Sequence, residues 1–87
     1  MNNISRIPDT TGCINLIVNT NALIDTNGLE CVIKPVGADV FVATRQKENN
    51  YEGGFIVREG EEFTFCGKMY VYAKEECRVY FMKYRTL

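Results

Sequence analysis

The sequence predicts an all-β chain: a single antiparallel β-sandwich, or small open barrel, of about seven to eight short strands. Three observations predict it. From Cys13 onward the apolar residues recur with period two rather than 3.6. The runs are rich in Val, Ile, Phe, Tyr and Thr, which suit a pleated and half-buried surface. Turn chemistry falls between them at Asn27-Gly28, Pro35 to Asp39, Gly53-Gly54, Glu59-Gly60-Glu61 and Cys66-Gly67-Lys68. A parallel sheet would need crossover helices, and no helical period is present to supply them.

Taken in order, the polar stretch Met1 to Gly12 reads as an N-terminal arm, or an edge strand that orders only against something else. Residues 13–87 then form the β-domain. Its strands are expected at Ile14 to Val18, Ala22 to Asp25, Leu29 to Val36 and Val40 to Thr44, and then at Phe55 to Arg58, Glu62 to Phe65, Met69 to Ala73 and Arg78 to Tyr84. Arg45 to Glu52 is the longest polar stretch and reads as an exposed loop able to carry contacts. No internal repeat or low-complexity tract interrupts the pattern.

Size and charge narrow the function. Eighty-seven residues, 46% hydrophobic, make one domain and no second. Such a chain buries only about 60–65% of its unfolded surface, so docking on another body is a natural source of extra stability. Ten Lys and Arg against eleven Asp and Glu leave a net charge of −1, which argues against a nucleic-acid footprint. The interleaving of Lys74, Arg78, Lys83 and Arg85 with tyrosines is diluted by Glu75 and Glu76. The N-terminus lacks the apolar core of a signal peptide, and no run reaches the roughly 18–20 residues of a membrane span. The expectation is a protein with no membrane partner, made in a cytoplasm.

There is no histidine. Histidine is the usual general base near neutral pH and the commonest metal ligand, so the expectation is a non-enzyme with no catalytic residue, metal or cofactor. Cys13, Cys31, Cys66 and Cys77 contain no CxxC pair and match no zinc module. They read as free thiols, with Cys13 and Cys31 in phase with Ile and Leu neighbours as small buried hydrophobes. The acidic groups Glu59, Glu61, Glu62, Glu75 and Glu76 read as solvated turn residues. The glycines at 53, 54 and 60 precede neither a GKS/T sequence nor a helix, so they serve the backbone.

The last third carries the candidate site. Alternation puts Val71, Ala73, Val79 and Phe81 on one face, and Tyr70, Tyr72, Tyr80, Met82 and Tyr84 on the other. A solvated outer face should be polar, so this aromatic one is expected to meet another subunit, joined by Arg45, Gln46 and Lys47 of the polar loop. Tyrosine suits that role because its ring buries area while its hydroxyl keeps a polar partner. The competing reading makes some of these tyrosines ordinary half-buried strand residues.

From Leu29 to Tyr84 the order of phrases resembles a known group. An apolar strand closes on Lys34-Pro35-Val36-Gly37, then come Asp39 to Ala43, a polar loop, Gly53 to Val57, Glu59 to Phe65, Gly67 to Ala73 and Arg78 to Phe81. This resembles the small β-sandwich virion proteins of tailed bacteriophages, of the capsid decoration, head-fibre or head–tail accessory type. The resemblance is one of pattern over about two-thirds of the chain. It implies a non-enzymatic structural protein located in the virion. Such a protein binds capsid or portal and tail subunits through sheet faces and edges, as a homo-oligomer with a trimer as the expected symmetry. The cysteines and the tyrosine-rich last strands depart from the pattern. Two alternatives remain open on the residues: a small phage-encoded inhibitor that blocks a host protein, and a carbohydrate-binding adsorption module. The latter would normally use Trp, which is missing.

Overall fold

Six strands stand where eight were expected. The computed structural model describes residues 6–45 and 54–86. Among these, β1 (Arg6–Leu16), β2 (Thr20–Val36), β3 (Val40–Ala43), β4 (Phe55–Val57), β5 (Phe63–Ala73) and β6 (Cys77–Thr86) form the structure, with no helix. All pair antiparallel in one open sheet of order β1-β6-β2-β5-β3-β4. The all-β antiparallel class is as expected; the strand count and the short strand lengths are not.

The count differs because two expected turns are bends inside long strands. Asn27-Gly28 lies within β2 and Gly67 within β5. All three residues have positive φ, at 53°, 82° and 112°, the backbone that turn-forming Asn and Gly reach at least cost. The two irregularities face each other. Between the pairs Asp25–Lys68 and Glu30–Cys66, β2 advances five residues while β5 advances two, so β2 carries three extra. An odd number of extra residues moves the side-chain alternation to the other parity. That is why Ile24 is buried before the bulge, and Cys31, Ile33 and Pro35 after it. The apolar set stays on one side.

The sheet also curls. Thr20 at the start of β2 pairs with Ala73, and Val36 at its end pairs with Arg78. Five residues of chain reach roughly 17 Å at most, whereas a straight strand from Thr20 to Val36 would run about 53 Å. β2 therefore bends until both its ends lie near the β5–β6 turn. The concave side holds the core, which includes Ile33, Val40, Val71, Ala73 and Val79 at 0–1% exposure. Two turns are tied together at this end. The Gly37 N–H donates to the Glu59 carboxylate at 2.5 Å, the Glu59 N–H to Asp39 Oδ1 at 2.8 Å, and the Gly60 N–H to the Pro35 carbonyl at 2.8 Å. Glu59 is exposed, as expected of a turn residue, but its carboxylate holds a backbone donor.

Residues Arg6–Gly12, expected as an arm or edge strand, are the first part of edge strand β1 and order against β6. Gly12 lies opposite Phe81, whose ring occupies the space a side chain would take: a Cβ there would lie 2.5 Å from Phe81 Cζ. Met1 to Ser5 fall outside the described residues.

Candidate protein-binding face

The convex side of β1, β6 and β2 is built in rows, because directly paired antiparallel residues share a face. Across the three strands the rows are Asn15–Arg78–Val36, Cys13–Tyr80–Lys34, Thr11–Met82–Val32 and Pro8–Tyr84–Glu30. The last three form an open, mostly apolar groove whose lining includes Tyr80, Met82, Tyr84 and Val32. Tyr80 is 41% exposed, while Met82 and Tyr84 are half-buried.

Charges rim the groove. At one end stand Lys34 and Arg78; the side-chain hydrogen bond from Arg78 to Tyr80 is the first cause holding its guanidinium pKa above its ordinary value. At the other end Arg6 pairs with Glu30 at 2.8 Å, and its guanidinium carbon lies 5.7 Å from the centre of the Tyr84 ring. An aromatic and aliphatic centre with a polar, charged rim is the anatomy of a protein interface.

The five residues expected on one aromatic face do share the face by alternation, but the bend divides them. Tyr80, Met82 and Tyr84 lie in the groove. Tyr70 and Tyr72 lie beyond the bend, where Tyr70 pairs with Leu23 and Ala43, and Tyr72 with Asn21 and Phe41. Tyr70 is half-buried. Tyr72 is only 3% exposed and its hydroxyl donates to Asn19 Oδ1 at 2.7 Å, so its area is already spent within the chain. Arg45 is exposed past the end of β3, away from the rows above. Gln46 and Lys47 lie outside the described residues.

Sequence reasoning missed several contributors to this region, among them Thr11, Cys13, Val32, Lys34 and Glu62, the last expected only as a solvated turn residue. Cys13 is exposed, not buried, because Ile14 and Leu16 take the core side of β1 and alternation sends Cys13 out. Val32 and Lys34 line the groove through the same alternation on β2. The period was visible; which strand would flank β6 was not.

Cys31 and Cys77 are buried, and desolvation is the main cause raising both thiol pKa values above the ordinary 9.0. The Lys83 charge partly opposes this at Cys31, and Glu59 adds to it at Cys77. Among the described residues no group of three or more His, Cys, Asp or Glu is placed to hold a metal ion, and no helix is long and apolar enough to cross a membrane.

No protein-family model matches this chain, and neither a curated protein nor a solved structure matches it.

Proposed function

We propose that this chain is a non-enzymatic, protein-binding structural subunit, acting as a rigid adaptor of a tailed-bacteriophage virion on its head or at the head–tail junction. The observation that supports binding is the Tyr80–Met82–Tyr84 groove with its charged rim on the convex side of the sheet. An uncovered apolar strip on a small domain is costly unless another surface meets it. The virion assignment rests on the order of strands and turns from Leu29 to Tyr84, which resembles small virion β-proteins. The curled sheet is read as a sandwich made by folding one sheet over its own core, with the long bent strands passing between the layers. Partners are capsid, portal or tail subunits, and no cofactor takes part.

Sedimentation with heads or tails assembled from the structural proteins encoded beside this chain tests the reading. The wild type should co-sediment in a fixed ratio. Tyr80→Lys places a charge in the centre of the groove and should weaken that association at least about tenfold, the scale of losing one interfacial hot spot. Because Tyr80 is exposed, the variant should keep the wild-type circular dichroism. No association by the wild type, or equal association by the variant, would sink the proposal.

A further inference from the structure

The free edge of β1 is an uncommon one. Among the described residues no strand pairs along its outer side, since the sheet order ends there. Natural edges are blunted by charge, proline, bulges or brevity. The other terminal strand, β4, is three residues long. β1 is defended only at its start, where Arg6, Pro8 and Asp9 stand and the register shifts between Pro8 and Thr10. From Thr10 to Leu16 the pairing with β6 is regular for seven residues, and the run Thr-Thr-Gly-Cys-Ile-Asn-Leu carries no charge. Just beyond it Ile17 and Val18 are 63% and 54% exposed.

We infer that this edge pairs with the same edge of a second copy, antiparallel about a two-fold axis, joining two six-stranded sheets into one. The register follows from symmetry. Two antiparallel copies of one strand are related by an axis perpendicular to the sheet, so convex side continues into convex side. Residues of like parity then face each other, and one residue sits on the axis opposite itself. The regular stretch Thr10–Leu16 is fully used when that residue is its midpoint, Cys13. Thr11 then meets Asn15 of the second copy on the convex side, a polar pair that can hydrogen-bond. On the core side Gly12 meets Ile14, small against large. No charged residue is placed opposite a like charge in the paired stretch. Ile17 and Val18 come up against the second copy's Asp9 and Pro8. A single uncharged copy of the same edge is thus complementary to it along its whole regular length, which is why the occupant is this chain itself.

The pairing is independent of the tyrosine face. It places the two grooves side by side on one convex surface and leaves both open. A cyclic trimer, the symmetry expected from the virion resemblance, cannot put β1 against itself.

The test uses the full chain. Directly opposed antiparallel residues have Cα atoms about 4.5–5.5 Å apart, within the range a disulfide spans. Diamide, which takes up the two protons and two electrons released by two thiols, should therefore link Cys13 to Cys13. A dimer band on a non-reducing gel is expected from the wild type and from Cys66→Ser, and not from Cys13→Ser. Light scattering from micromolar to millimolar concentration should show a reversible dimer in the reduced protein and in Cys13→Ser. Cys13→Lys sets two like charges opposite each other at the axis and should raise the dimer dissociation constant at least about tenfold. Thr11→Lys with Asn15→Asp places opposite charges across the axis instead, and should dimerise at least as tightly as the wild type. A monomer or a trimer over the whole range overturns the inference, as does a dimer that links through Cys66 or fails to link through Cys13. Tyr80→Lys should leave the dimer intact, so failure of the edge and failure of the tyrosine face are read separately.

Discussion

Thr26 is the buried polar residue on which the bend depends. Its side chain is 0% exposed, and its Oγ1 accepts a hydrogen bond from the Gly67 N–H at 2.8 Å, joining the bulge of β2 to the bend of β5. A buried donor left without a partner costs about 1–3 kcal/mol. Thr26→Val keeps the shape and removes the acceptor, so we expect a loss of stability in that range, read from the urea midpoint at unchanged slope. A variant as stable as the wild type would show that water or another group takes over the Gly67 N–H. The alternation of Ile14, Leu16 and Cys13, by contrast, needs no partner beyond the pleat. It follows from residue order once the strand exists.

At the level of the element, β2 is the decisive piece. It pairs with β5 along both halves and with β6 along its second half only. Its apolar positions are even before the bulge and odd after it, and three extra residues reconcile the two. Deleting Gly28 only shortens the bulge to two extra residues, and Cys31, Ile33 and Pro35 keep the core side because the bulge absorbs the change. Deleting Val32, which is paired on both sides in the regular stretch, turns Ile33 and Pro35 outward relative to Cys31. The Val32 deletion is therefore expected to abolish the cooperative urea transition, while the Gly28 deletion keeps one at a lower midpoint. The reverse ranking would refute this account of the bulge. The turn signals at Asn27-Gly28 and Gly67 were legible as backbone in the left-handed region. Whether the chain reverses there or merely bends is a tertiary outcome, because each irregularity is accommodated by the one opposite it.

For the whole molecule, the two buried thiols couple stability to pH. Cys31 and Cys77 have folded pKa values raised above the ordinary 9.0. Above that value the unfolded chain loses its thiol protons first, so the native state binds more protons and stability falls as pH rises. The contribution is complete below pH 9.0 and is lost as pH climbs through the folded values. Urea midpoints should be flat from about pH 7 to about pH 8 and decline above the thiol value. A Cys31→Ala/Cys77→Ala variant should decline less steeply over the same range, though from a lower starting stability. An equal slope in the variant would assign the pH dependence to other groups. The wider design, an apolar interior of small β-branched residues with an amphiphilic outer face, also belongs to this scale. It leaves contact with other molecules to the surfaces.

The sequence by itself determined the strand class, the alternation within a run, and the left-handed backbone at Asn27, Gly28, Gly37, Gly60 and Gly67. Period two and the Gly and Asn signals are local, and local physics suffices to read them. It also marked Tyr80, Met82 and Tyr84 as apolar residues turned away from the core. Only the tertiary structure decided that eight runs make six strands, that β6 lies between β1 and β2, and that Tyr72 is buried against its neighbours while Tyr80 stays open. It alone brought Cys13, Val32 and Lys34 beside those aromatics. These outcomes depend on pairings between distant parts of the chain, where the beginning meets the end. Alternation tells which side a residue takes and carries no information about which strand will stand next to it.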